Sequence, residues 1–408
     1  MNDAIGENLS VQPASASFLL LGTGWFPKTP GGMERYVYEL ANHLIKGDRL
    51  ELGGVGLPDH LDHGNLRLTN LAEPDHPLLR RMWEVRRRFA QRKLQADFRL
   101  LDAVNLHFAL YSLPLLDLLP PSVPVTFTFH GPWALESHQE GASGLSVALK
   151  RWVEQRVFAR CDRFLVLSHA FGAILHESYG ISWSQIHVVP GGVDTRRFAP
   201  TLTRSDARTA LGWPGDRPIL FTTRRLVQRM GLDRLLQALV WVKAAVPDLW
   251  LAIAGKGPLR PSLEQQAAAL GLQHHVQFLG FLPEPDLPLA YQAADLTVMP
   301  SLSLEGFGLV LLESLAAGTP ALCTPVGGMP EILLPFCPDL VTDSTEPGAI
   351  AQRLTAFLKG ECPLPSREAC RQYAVDQFDW QIIAPRVRQV LLQRSERASV
   401  AISARLRT

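Results

Sequence analysis

Residues 296–325 read LTVMPSLSLEGFGLVLLESLAAGTPALCTP. A short apolar run, a glycine-bearing loop, an unbroken apolar stretch of helix length and a second short apolar run follow one another, which is the pattern of strand, helix and strand. Outward from it the pattern repeats. "PILFTT", "LWLAIAG" and "VQFLG" precede it as further strands, each followed by a helix. The N-terminal half alternates in the same way through "SFLLLG", "GGMERYVYELANHLI", "LELGGVGL", "DAVNLHF", "VPVTFTFHG", a helix near 146–160 and "RFLVLSH". Strands alternating with helices give a mostly parallel sheet covered on both faces. The fold class is therefore α/β, two doubly wound Rossmann-like domains facing a cleft, with ligands expected beyond the carboxyl ends of the strands. The seam falls in "VVPGGVDTRRFAP", an irregular stretch bounded by Pro190, Gly191, Gly192 and Pro200. The expected organisation is a mobile leader over 1–17, a first domain over 18–190, a second over 191–380, and a C-terminal helix with a basic tail over 381–408 that can cross back to the first domain.

Composition agrees with two cores. The chain has 408 residues, 47% of them apolar and 19% charged, enough material for more than one domain and too little charge for disorder. The net charge of +1 selects no nucleic acid. Five scattered cysteines without a C-x-x-C pair argue against a disulfide framework or a zinc ribbon, so reduced thiols in a cytoplasmic protein are expected. Residues 18–21 are too short an apolar run for a signal or a membrane span.

Two loops are built to meet an anion. In "LLLGTGWFPKTPGGMER" the third glycine of a dinucleotide fingerprint would fall at Pro27, which disfavours a Rossmann dehydrogenase. What remains is Gly31 and Gly32 opening a helix, either as a turn or as a seat where free N–H groups attract a phosphate. In "EGFGLVLLE", Gly306 and Gly308 let a ligand approach the backbone of Gly306, Phe307, Gly308, Leu309 and Val310 as the next helix begins. That helix is apolar all round except for Glu313, and a buried carboxylate is costly without a partner. A ribose diol offers two donors to its two oxygens. Glu305, at the mouth of the loop, can meet a sugar hydroxyl or a developing positive charge. Alternatively, Glu305 only complements the helix dipole and Glu313 pairs with a remote arginine. "FTTRRLVQRMG" places Arg224, Arg225 and Arg229 after a strand, and with no D-x-D triplet in the sequence, arginines are the natural counter-ions of a diphosphate. His130 ends the strand of "VTFTFHG", where it can bind a substrate hydroxyl, move a proton, or be structural.

From about residue 18 to 395 these motifs, in this order, resemble the retaining glycosyltransferases of family 4, which have the GT-B fold and an E-x7-E element. "EGFGLVLLESLAAGTP", "VVPGGVDTRRF", "IAGKGPLR" and "VQFLGFLP" carry the likeness. The resemblance implies that Glu313 binds the ribose, that Glu305 and the backbone of 307–310 contact donor sugar and phosphates, and that Arg225 holds the diphosphate. It further implies that His130 touches the donor sugar, that Gly32 approaches the phosphate, and that the backbone at Phe281 and Leu282 meets the base. One position departs from the family pattern: Met230 stands where a lysine is usual, and a thioether cannot neutralise phosphate. Arg229 is expected to supply the missing cation; the alternatives are that Arg224 does so, that the donor is held more weakly, or that the enzyme is impaired.

The implied activity is transfer of a sugar from a nucleoside-diphosphate sugar to an acceptor hydroxyl in glycan, polysaccharide or glycolipid synthesis, with retention, no cofactor and no metal. The acceptor is an unidentified sugar or lipid-linked hydroxyl met by loops of the first domain. Rival readings are an epimerase or phosphorylase on the same fold, or a non-catalytic nucleotide-binding partner subunit. Residues 78–95, LLRRMWEVRRRFAQRKLQ, put Leu78, Met82, Val85 and Phe89 at helical spacing among basic residues. Such a helix either lies on an anionic membrane, making the protein membrane-peripheral, or is a solvated face packed on the first domain.

Overall fold

The computed structural model describes residues 15–29, 31–58, 62–95, 98 and 100–393. Of the leader expected over 1–17, residues up to 14 lie outside the described residues, as does the tail from residue 394, whereas Ala16 is buried and Ser17 already belongs to the first strand, so the leader ends earlier than expected. The first sheet contains β1 (Ser17–Leu21), β2 (Arg49–Val55), β3 (Asp62–His63), β4 (Leu66–Ala72), β5 (Ala103–Leu106), β6 (Val125–Phe129), β7 (Arg163–Val166) and β8 (Ile186–Val188). Their order is β3-β4-β2-β1-β5-β6-β7-β8, and among these pairings only β3 with β4 is antiparallel. The second sheet is parallel, with β9 (Ile219–Thr223), β10 (Trp250–Ala254), β11 (Val276–Gly280), β12 (Leu296–Met299) and β13 (Ala321–Cys323) in the order β11-β10-β9-β12-β13. The central strands β10 and β12 are buried along their whole length, as a parallel sheet covered on both faces requires. The hairpin β3-β4 and the three-residue β8 are additions to the strands legible in the sequence. They lie at the two edges, where short length and mixed polarity blur the pattern.

Each sheet has one place where strand order reverses, between β1 and β5 in the first and between β9 and β12 in the second. Connections on either side of such a point diverge and leave a crevice beyond the strand ends. The two crevices face each other. Contacts across the domains hold them in register: Ser168 Oγ donates to the carbonyl of Gly306 at 2.6 Å, and the Glu331 carboxylate accepts from the amides of His169 and Ala170 at 2.9 Å. Glu331 thereby satisfies the start of the helix His169–Tyr179 from the opposite domain. Gly306 is also needed for packing, since a Cβ there would lie 2.7 Å from Cε2 of Phe171.

The last described helix, Trp380–Leu392, returns to the first domain and packs on the helix Gly32–Leu44. Arg388 clasps Asp48 at 2.7 and 2.8 Å, and the Trp380 ring lies 5.2 Å from Tyr36.

The basic helix runs Leu78–Lys93. Its apolar stripe divides: Val85 and Phe89 are buried, whereas Leu78 stays at the surface. Most of its arginines serve its own domain. Arg92 forms a buried bidentate pair with Glu51, Arg86 holds Asp117 at 2.7 Å, and Arg80 reaches Glu84 at 3.0 Å. Outward it shows Leu79 and Trp83, 85% and 59% exposed, with the Arg87 guanidinium 4.8 Å over the indole.

Candidate active site

The helix Leu309–Ala316 starts from Gly308, whose φ of 93° lies in the left-handed region that glycine enters without strain. No side chain caps it, and none caps the helix that begins at Gly32 after Gly31. Two helix N-termini with free amides thus open on one cleft, and both favour negative charge. The cleft has a volume of about 590 Å³, within the range of small-molecule sites. His130, Arg225, Arg229, Glu305, Gly306, Phe307, Gly308, Leu309 and Val310 line it. A side recess of about 230 Å³ adds Phe281, Leu282 and Glu313. Gly31 and Gly32 border both spaces. These fourteen residues, each singled out in the sequence, therefore meet in two adjoining spaces.

Glu313 is 6% exposed, and its partners differ from the sequence expectation of a ribose alone. Arg35, on the first helix, donates to Oε1 of Glu313, and the Tyr291 hydroxyl donates to Oε2 at 2.7 Å. The remote arginine of the alternative is therefore present, though it comes from the opposite domain and stands in the side recess. Arg35 also grips Glu284 at 2.7 and 2.8 Å, and Arg197 donates to the same carboxylate. Burial disfavours the charged guanidinium of Arg35, but Glu313 and Glu284 outweigh it and raise its pKa.

Glu305 is held by Arg224 and by Ser301, whose Oγ lies 3.1 Å from Oε2. Burial pushes its pKa up, the Arg224 guanidinium pulls it down, and the attraction wins, so the carboxyl is ionised below its ordinary range. Arg225 is 60% exposed and reaches Glu140 at 3.4 Å. Arg229 donates to the carbonyl of Leu304 at 3.2 Å and lies 3.5 Å from Glu136 of the first domain. Both Arg224 and Arg229 line the cleft, and Nη2 of Arg224 lies 2.8 Å from the Met230 sulfur.

His130 lies 3.0 Å from His107, Nε2 to Nδ1, with the rings stacked. Burial lowers the His130 pKa to about 3 and that of His107 well below its ordinary value. Each neutral imidazole carries one N–H, and in this contact one ring donates and the other accepts. That arrangement suits hydrogen bonding by a neutral imidazole, and burial disfavours the imidazolium that proton uptake would create.

Arg35, His107, Glu284 and Tyr291 were not singled out in the sequence. His107 alone had a signal, since "VNLHF" ends a strand as "VTFTFHG" does. Among the described residues, no group of three or more His, Cys, Asp or Glu is placed to hold a metal ion. No described helix is long and apolar enough to cross a membrane.

Two Rossmann-like lobes thus present helix N-termini, arginines and two glutamates to adjoining spaces between them. Residues 30–197 match Glycosyltransferase Family 4 and residues 203–377 match Glycosyl transferases group 1. The chain is 34% identical over 271 residues to the GDP-mannose-dependent alpha-(1-6)-phosphatidylinositol monomannoside mannosyltransferase of Mycolicibacterium smegmatis, covering 64% of this chain and 69% of that one. To the Mycobacterium tuberculosis protein of the same description it is 28% identical over 388 residues, covering 92% and 98%. A solved sucrose-phosphate synthase from Thermosynechococcus elongatus superposes with a TM-score of 0.74 at 21% identity, over 92% of this chain and 98% of that one, and shares the fold. The chain belongs to the family 4 glycosyltransferases. It is a glycosyltransferase that draws on a nucleotide-sugar donor, and the epimerase, phosphorylase and partner-subunit readings are not favoured.

Proposed function

We propose that the chain moves a sugar from a guanosine-diphosphate sugar to a hydroxyl of a lipid-borne acceptor, with retention and without a metal, on the cytoplasmic face of an anionic membrane. The observation that carries this is the convergence of two uncapped helix N-termini with Arg224, Arg225 and Arg229 on one cleft. Fixed donors of that kind stabilise the negative charge that develops on a departing diphosphate, a task a metal would otherwise perform. Glu313 takes the ribose hydroxyls in place of Arg35. Gly31, Gly32 and the backbone of Gly306 to Val310 cradle the phosphates. His130 and Glu305 orient the donor sugar, His130 as a neutral hydrogen-bonding group. With the anomeric carbon held beside the acceptor hydroxyl, the new bond forms on the face the diphosphate leaves.

Guanine is favoured by the recess at Phe281 and Leu282, which Glu284 also lines. A carboxylate only accepts, and guanine offers two adjacent donors on one edge. The lipid acceptor is supported by the substrates in the relatives' names, and the membrane by the exposed Leu79 and Trp83 beside Arg87. Tryptophan and arginine suit the headgroup layer of an anionic bilayer.

A thermal-shift comparison of GDP, UDP and ADP with their sugars tests the donor. GDP and its mannose conjugate are expected to give the largest rise in Tm; no rise with any diphosphate rejects the proposal. Proton NMR of the first-formed product reads the anomeric configuration, and turnover unchanged by a chelator is the expected result for a metal-free transfer.

A further inference from the structure

The family resemblance calls for a lysine at position 230, and the side chains around Met230 explain its absence. Arg224 is the first residue after β9, and its amide donates to the carbonyl of Ala254 at 2.9 Å. The backbone is pressed close there, since a Cβ on Gly255 would lie 1.8 Å from the Arg224 carbonyl oxygen. The Arg224 side chain is 4% exposed and turns inward, so that Nη2 donates to Ser301 and Glu305 and lies 2.8 Å from Sδ of Met230. Methionine and lysine are both unbranched, and an ammonium at position 230 would extend past the place of that sulfur, into the volume the guanidinium fills. Two cations there would repel, with Glu305 to share between them.

We propose that Arg224 has taken over the phosphate-clamping charge of the missing lysine, so that Arg224 and Met230 are a coupled pair in which one strand-end residue supplies the cation and the other makes room for it. This rests on the glycosyltransferase reading of the cleft and names the residue that grips the donor diphosphate there. Three observations support it independently of the family pattern. Arg224 lines the cleft onto which the N-terminus at Gly308 opens. Its Nε, like that of Arg229, is buried and has no hydrogen-bond partner, so neither guanidinium has all its donors satisfied within the chain. The competing cations are placed differently, Arg229 as a strut between Leu304 and Glu136 and Arg225 largely in solvent.

The experiment is calorimetric titration of the full chain with GDP and with guanosine, for wild type, Arg224→Met, Met230→Lys, and the exchanged pair Arg224→Met/Met230→Lys. A charge-assisted contact contributes about 1.5–3 kcal/mol, so Arg224→Met is expected to weaken GDP roughly 10- to 100-fold. Guanosine, which has no phosphate, is expected to bind all variants alike. The exchanged pair is expected to regain most of the loss, and Met230→Lys alone is expected to gain nothing. GDP binding by Arg224→Met within twofold of wild type overturns the proposal, as does an equal loss for guanosine. Should Arg224→Met fail to fold because Glu305 is left unpaired, the exchanged pair carries the test. GDP affinity close to wild type then supports the coupling, and retained guanosine binding with lost GDP binding overturns it. If UDP or ADP proves the stronger ligand, that diphosphate and its nucleoside are used. A wild type that binds none of the three overturns the donor reading itself, a result distinct from a failure at Arg224.

Discussion

Replacing Arg35 by alanine removes the cation that Glu313 meets from the opposite domain. In the unliganded protein the Glu313 carboxylate then keeps only the Tyr291 hydroxyl, at 2.7 Å, while Glu284 keeps Arg197. Breaking a buried ion pair from one side costs about 3–5 kcal/mol when the remaining charge has no other partner. Glu313 is 7% and Arg35 16% exposed at the side chain, and both carboxylates retain one donor, so about 2–3 kcal/mol is the expected loss. For domains of this size that corresponds to a fall in Tm of roughly 4–12 °C, at 2–4 °C for each kcal/mol. Binding should change in the opposite sense. Ribose hydroxyls and Arg35 address the same carboxylate, so without Arg35 a nucleotide no longer displaces a cation. GDP is expected to bind Arg35→Ala as tightly as wild type or up to about tenfold more tightly, with a larger ligand-induced rise in Tm. Scanning fluorimetry and calorimetry on the two proteins read both quantities. An unchanged Tm together with weaker GDP binding would refute the reasoning, because Arg35 would then be a ligand contact and not the counter-ion that ribose replaces.

Glu284→Ala is expected to erase the preference for GDP over UDP in Kd while sparing binding of the diphosphate itself; a retained preference assigns the base to other groups. Burial raises the Glu154 pKa from 4.5 to about 7, so the folded chain holds a proton that the unfolded chain has released between those values. The resulting stability is complete below about 4.5 and is lost as pH rises through about 7. Tm of Glu154→Gln measured from pH 5 to 8 should therefore fall less steeply than that of wild type. His130, neutral over the working range, should contribute no inflection to the pH profile of kcat between 5 and 8, although His130→Ala is expected to lower kcat/KM roughly 10-fold through the lost hydrogen bond. A wild-type inflection near pH 6.5 that His130→Ala abolishes would show that the imidazole titrates. In liposome flotation, Leu79→Ser/Trp83→Ser should lose binding to anionic vesicles without loss of turnover on a soluble acceptor; flotation equal to wild type moves the membrane contact elsewhere.

Much of the site could be read locally. Gly306 and Gly308 precede an apolar helix, and Glu305 and Glu313 lie eight residues apart, so that a single segment carries the phosphate cradle and both carboxylates. Strand ends marked His130, Arg224 and Arg225, because parallel strands advertise their ends by the switch from apolar to polar residues. Such features depend on near neighbours in the chain, and the amino-acid order specifies them directly.

Partners were another matter. Glu313 finds Arg35 across 278 residues, and Arg224 finds Glu305 across 81. The first pairing crosses between the two domains, whose crevices face each other, and the second follows from β9 and β12 lying side by side in the second sheet. A carboxylate shows in the sequence only that it needs a donor; which donor reaches it is set by how the sheets stack and the domains meet. For the same reason the basic charge of residues 78–93 could not be divided in advance between arginines bound to their own domain and the Arg87–Trp83 pair left facing outward. Local pattern determined where charge and backbone amides would be offered, and tertiary packing decided which of those charges were already satisfied.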